Sequence, residues 1–370
     1  LGDCYLKTKD KKGARNAFGF AKEMSHDPKI QEEATFLYDK LSYELGFDQI
    51  ALKGFESFIH TYPQGNKVPE AKSLLSEILL KSNKYAAAFD LLEKEPQKDH
   101  AAWTNYQKSA VGRGIQLFRD KEYLEANKYF DAALKNPVNA SLEAVAYFWK
   151  GESDFQLSNN EASITNMKTF LQKVKGQEET VRKVSGNATV QNANMTLGYA
   201  SLNTKDFSTA NFAFADAQKQ VGENTAISKD AVIRQADAAF MQKDFDAAEK
   251  LYNTAIVTNA PEADYAKYQT ALILGLKNKR PEKIELLKQL QQNSKTNVRE
   301  DAILELANEY VLENRFKEAI DALNKIDDKK FEDKDLIGRV YEYFLQLFAI
   351  DSGTGAEKGE FYTPASIVKL

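Results

Sequence analysis

The sequence is poor in the devices that mark a metal site, a secreted framework or a membrane anchor. Its one cysteine, Cys4, excludes an internal disulfide and any multi-cysteine metal site, and one thiol does not identify a compartment. Long apolar runs are missing. The longest are a few residues, as in 73–80, so no segment can span a bilayer. Nothing at the start resembles a signal peptide, and the chain opens Leu1-Gly2-Asp3 without Met, which reads as a fragment beginning partway through a gene. No basic stripe is present: net charge is −4, and acids and bases are interspersed, so no nucleic-acid partner is announced. The histidines are His26, His60 and His100, and none has a second histidine at metal-ligating spacing. His26 and His60 fall near expected helix ends, where a cation meets the negative end of the helix dipole. Acid clusters such as Glu178-Glu179 and Asp327-Asp328 read as solvated faces, and Asn139-Ala-Ser, Asn187-Ala-Thr and Asn194-Met-Thr match the glycosylation pattern by chance.

What is present is repetition. A chain of 370 residues exceeds what one ordinary core serves, so it splits into domains or repeats a small unit. Self-comparison decides for the repeat. An aromatic residue is followed three later by Ala, four further on by a large apolar residue, and three beyond that by Ala or Phe. Tyr123…Ala126…Phe130…Ala133, Phe207…Ala210…Phe214…Ala217, Phe245…Ala248…Tyr252…Ala255 and Phe316…Ala319…Leu323…Ile326 are the clear copies. Weaker ones follow Ala14, Ala51, Ala88 and Ser163, and the weakest is Glu282…Leu286. Most steps are 37 or 38 residues, and the one from Ser163 to Ala210 is 47. The surplus, within 173–191, is polar and reads as a longer inter-repeat loop, an extended helix end or a bend between sub-arrays. Small residues a helical heptad apart let two helices approach, and the aromatic between them fills the gap. One such pair cannot hide its apolar stripe alone, so successive pairs must stack. Pro63, Pro137 and Pro261 stop second helices.

This pattern resembles the tetratricopeptide (TPR) family, whose repeat of 34 residues carries W-x2-L-G-x2-Y and then Ala, Phe, Ala and Pro. Leu1-Gly2-x2-Tyr5 and Leu197-Gly198 match the first-helix half; elsewhere the Gly position holds Asp39, Ser76, Ala236 or Ala307. Around 266–275 the chain is similar to long TPR proteins of bacterial envelopes. The resemblance implies an all-α, right-handed TPR α-solenoid of about nine helix pairs over residues 1–327. It also implies a non-enzymatic scaffold that binds a protein or peptide on the concave surface lined by first helices. The family's groove positions transfer to Glu152, Asn192, Met195, Tyr199, Asp237 and Asn308, a polar and apolar mixture suited to an extended peptide or a partner helix. The Lys/Asn set that clamps a terminal carboxylate in some TPR domains is missing. No metal and no membrane-spanning segment is expected.

From about Asp328 the repeat stops. Residues 334–350 form an amphipathic pattern, 352–359 a glycine-rich connector, and Thr363-Pro364 an N-cap with first-turn proline. The motifs D-L-I-G-R-V-Y-E-Y-F-L and G-E-F-Y-T-P resemble the modification subunit of type I restriction systems, an adenine-N6 DNA methyltransferase. That resemblance implies that Phe361, Tyr362, Thr363 and Pro364 help hold S-adenosylmethionine. The family's glycine-rich cofactor turn and its Asn-Pro-Pro-aromatic motif do not occur; the one Asn-Pro is Asn136-Pro137. Gly353-x-Gly355 is too short for a nucleotide loop. The expectation is therefore a chain with no catalysis and no cofactor of its own, whose segment 328–370 is joined, artificially or by a rarer gene fusion, to a TPR array. The alternative is a fragment of a DNA-modification component, with DNA as partner. The TPR part suggests the periplasm or envelope and the last segment the cytoplasm.

Overall fold

The computed structural model describes residues 1–24, 27–219 and 225–326, and all regular structure among them is helical. The segment 328–370 and His26 lie outside the described residues. The chain divides into two compact units, Leu1–Gln242 and a second from Lys243 onward.

The first unit is a succession of helix hairpins. Its pairs are α1 (Gly2–Lys7) with α2 (Lys11–Met24), α3 (Pro28–Glu44) with α4 (Asp48–Thr61), and α5 (Val68–Lys81) with α6 (Tyr85–Glu93). There follow α7 (His100–Arg119) with α8 (Tyr123–Lys135), and α9 (Ala140–Gln156) with α10 (Asn160–Lys173). A short helix, α11 (Glu178–Val184), precedes α12 (Val190–Asn203) and α13 (Phe207–Lys219), and α14 (Ala226–Met241) ends the unit. Successive first helices touch, α3 with α5, α5 with α7, α7 with α9, α9 with α12 and α12 with α14, so they form one continuous layer. The second unit runs α15 (Phe245–Val257), α16 (Ala263–Leu276), α17 (Arg280–Gln292), α18 (Arg299–Leu312) and α19 (Phe316–Leu323), each packed on the next. Its core gathers Leu287, Leu290, Ile303, Leu306 and Leu323.

One backbone turn recurs along the chain. Lys9, Gly46, Asn83, Lys121, Ser158, Lys205, Lys243, Asn278 and Asn314 all have left-handed backbone, with φ from 56° to 82°. Each follows a first helix, and after Lys9, Gly46, Asn83, Lys121, Ser158, Lys205, Asn278 and Asn314 the next residue donates its N–H to a carbonyl five positions back. Glu122 donates to Leu117 at 2.9 Å, Asp206 to Ser201 at 2.8 Å and Arg315 to Tyr310 at 2.8 Å, which satisfies a carbonyl the helix end would otherwise orphan. Asp10, Asp206 and Asp244 then cap second helices by accepting N–H bonds from Gly13, Thr209 and Ala247.

Five residues after the left-handed position comes the buried residue of the second helix. Ala14, Ala51, Ala88, Ala126, Ser163, Ala210, Ala248 and Ala319 hold it, none more than 1% exposed. Twelve residues before that position the first helix is also small, so the aromatic can lie across it. A β-carbon on Gly114 would come 2.4 Å from the Phe130 ring, and one on Gly198 would come 2.6 Å from Phe214. Burying each such ring contributes roughly 1.5–3 kcal/mol, and only close helix approach makes the burial complete.

Two expectations need correcting. The eighth copy is in register on Lys283, not Glu282: Lys283 is 4% exposed, Leu287 and Leu290 follow on the same face, and Glu282 faces solvent. The surplus after Ser163 is not simply loop. It includes α11, whose Val181 is fully buried against the α9 cluster. Ser185, directly after α11, accepts the Trp149 indole N–H at 2.9 Å.

Candidate functional site

The helix layer of the first unit carries a cavity of about 440 Å³ lined by Phe118, Phe148, Trp149, Glu152, Asn187, Asn192, Met195, Thr196 and Ile227. Four helices and a loop build it. α7 gives Phe118; α9 gives Phe148, Trp149 and Glu152; α12 gives Asn192, Met195 and Thr196; α14 gives Ile227; and the loop after α11 gives Asn187. The spacing 148–149–152 puts three side chains on one stretch of α9, and 192–195–196 does the same on α12.

The walls are held. Trp149 meets Phe118 edge-on at 4.8 Å between ring centroids and Phe148 at 5.4 Å, and its indole N–H is fixed on Ser185. Thr189 caps α12 by accepting the Asn192 N–H at 3.1 Å, and the Asn192 side chain donates to the Asn187 carbonyl at 2.9 Å. Glu152 accepts the Thr196 hydroxyl at 2.5 Å. Burial pushes the Glu152 carboxyl above the usual carboxylate range, and the Thr196 hydrogen bond pulls only partly the other way.

Of the six groove residues expected from the sequence, Glu152, Asn192 and Met195 meet in this cavity. Tyr199 lies one helical turn further along α12 and donates its hydroxyl to Asp230 on α14 at 2.5 Å. Burial and that acceptor push the phenol up to about 12. Asp237 is paired with Arg234 at 3.0 Å, and Arg234 also reaches Asp230 at 3.3 Å. Asn308 is half-buried on α18 of the second unit. Phe361, Tyr362, Thr363 and Pro364 lie outside the described residues.

Sequence reasoning missed Phe118, Trp149, Thr196, Asp230 and Ile227. Asp230 was within reach: it precedes Ala236 by six, as Asn192 precedes Gly198. Phe118 and Ile227 carried no such signal, since each joins the wall only through the packing of its helix.

Residues 195–275 match the Tetratricopeptide repeat family. The helix pairs within that stretch match the tetratricopeptide repeat. Residues 332–370 match the N-6 DNA Methylase family, in agreement with the motifs read at that end. Among solved structures, the TPR array is similar to the APC/C hetero-tetramer Cut9-Hcn1 at 11% identity, over 94% of this chain and 82% of that one, with TM-score 0.38. It is similar also to a tetratricopeptide repeat protein from Parabacteroides merdae at 12% identity, over 85% and 98%, with TM-score 0.36. No curated protein matches the sequence. Among the described residues no helix is long and apolar enough to cross a membrane, and no cluster of three His, Cys, Asp or Glu could hold a metal.

Proposed function

We propose that the repeat array is a protein-interaction scaffold whose first-helix layer binds an extended peptide or a partner helix, with the cavity around Glu152, Asn192 and Met195 at its centre. The observation that supports this reading most is the cavity's composition. Fixed aromatic walls offer apolar area at little entropic cost, and a few polar groups converge on the same space. The walls come from three successive first helices and α14, so a ligand along this layer would meet several repeats at once.

Peptide selection against the full chain tests it. Selected peptides should lose most of their binding to Met195→Glu, which puts a charge in the cavity, and keep it with Leu124→Glu on the exposed face of α8. Equal binding to both variants would refute the assignment.

A second reading rests on residues 332–370, which favour a DNA-modification component with the TPR array as accessory. Incubating the chain with S-adenosylmethionine and adenine-containing DNA separates the two. Methyl transfer to adenine would overturn the scaffold reading.

A further inference from the structure

Resting on that reading, we infer that the cavity takes a basic side chain of the partner, a lysine or arginine, with its stem against the aromatic wall and its cation on Glu152. The argument starts from charge. Along the first-helix layer of this unit, several half-buried carboxylates are held by cations of the chain, buried Asp39 has Lys22 and Arg15 nearby, and buried Asp154 accepts amide N–H bonds from both Asn127 and Asn166. Lys40 pairs with Glu70 at 2.7 Å, and Arg234 holds both Asp230 and Asp237. Glu152 differs. Its single hydrogen-bond donor is the neutral Thr196 hydroxyl, and none of the Lys or Arg among the described residues forms an ion pair with it. A carboxylate withdrawn from water without a cation is costly, and a cation brought in by a ligand would offset that cost.

The surroundings suit the rest of such a side chain. Phe118 and Trp149 present edges and faces along which methylenes can lie and near which a cation is attracted. Met195 adds an adaptable apolar surface, and Ile227, 38% exposed, stands at the rim. No lysine or arginine among the described residues lines the cavity. An acidic side chain would meet Glu152 as a like charge, and a purely aliphatic one would leave the carboxylate uncompensated.

The four methionines make the test direct. Full-length chain labelled with ¹³C at the methionine methyls gives one probe in the cavity, Met195, one in the core, Met167, and two on exposed surface, Met24 and Met241. It is titrated with N-acetyl-lysine methylamide, with the neutral isostere N-acetyl-norleucine methylamide, and with N-acetyl-glutamate methylamide. The expected result is a saturating shift of Met195, not of Met24 or Met241, with lysine binding roughly tenfold tighter than norleucine and glutamate weakest. Glu152→Gln should bring lysine down to norleucine while leaving norleucine unchanged. The wild-type chain supplies an independent check: the lysine preference should fade as pH drops and Glu152 takes a proton. Norleucine binding as tightly as lysine would overturn the cation inference and leave the groove reading standing. A Met195 methyl unmoved by all three would overturn both.

Discussion

Gly198 lies beneath the ring of Phe214, so close that a β-carbon there would sit 2.6 Å from the ring carbons. Phe214 is fully buried beside Ala210 and Ala217, so the ring has nowhere to retreat. Gly198→Ala should therefore destabilise the array by about 1–3 kcal/mol despite the better helix propensity of Ala. Urea unfolding reads this as a lower midpoint. An unchanged or raised midpoint would mean the hairpin can open at no cost.

Asp39 occupies the same small-residue position in the second repeat and is 1% exposed, with Gly54 making room for its carboxyl. Burial raises its pKa to about 7, although Lys22 and Arg15 nearby favour the charged form. The folded state thus holds a proton that the unfolded state releases above about pH 4. Its contribution is present below that pH and declines as pH rises through about 7. Asp39→Asn should remove the decline, and its stability relative to wild type should grow across that window by a few kcal/mol, up to about 4. Parallel midpoint curves for the two proteins would contradict this.

Lys205 adopts φ 62° in an exposed turn. A side chain there costs roughly 1 kcal/mol that glycine avoids, partly offset by the greater freedom of glycine when unfolded. Lys205→Gly should raise the unfolding midpoint slightly, by the equivalent of about 0.5 kcal/mol, whereas the same change at Lys128, inside α8, should lower it by about 1 kcal/mol. Thermal melts of the two variants must move in opposite directions.

Lys283 fills the position that Ala holds in most other repeats, and Gly275 leaves space for its stem. Its ammonium bonds Glu309 at 2.5 Å and also reaches Glu305, both from α18. Lys283→Met leaves Glu309 only the more distant Arg280, at 3.8 Å, and should cost about 3 kcal/mol, while Lys283→Met with Glu309→Leu should recover most of it. A double variant no better than the single one would show that the pair is not what holds α17 on α18.

Much of the architecture was legible in advance because the requirement behind it is local. Two helices joined by a short turn approach closely only where both are small, so Ala126 with Ala133, or Gly198 across from Phe214, must recur wherever the hairpin does. The register of the eighth repeat was not legible. A lysine at an Ala position is tolerable only when carboxylates from the next helix arrive to pair with it, and nothing near Lys283 in sequence announces Glu305 and Glu309. Helix α11 was hidden similarly, since its short polar sequence gains order from one buried side chain, Val181, and from the Trp149 bond to Ser185.

The sequence by itself determined the helix pairs and the need for each pair to rest on the next, since both follow from periodicity and side-chain size. Only the tertiary structure decided where Glu152 would be left without a cation. Phe118 and Ile227, more than a hundred residues apart, reach the same cavity through helix packing that no local pattern encodes. Burial and charge matching are properties of the assembled neighbourhood, and a linear pattern records only which residues are available to supply them.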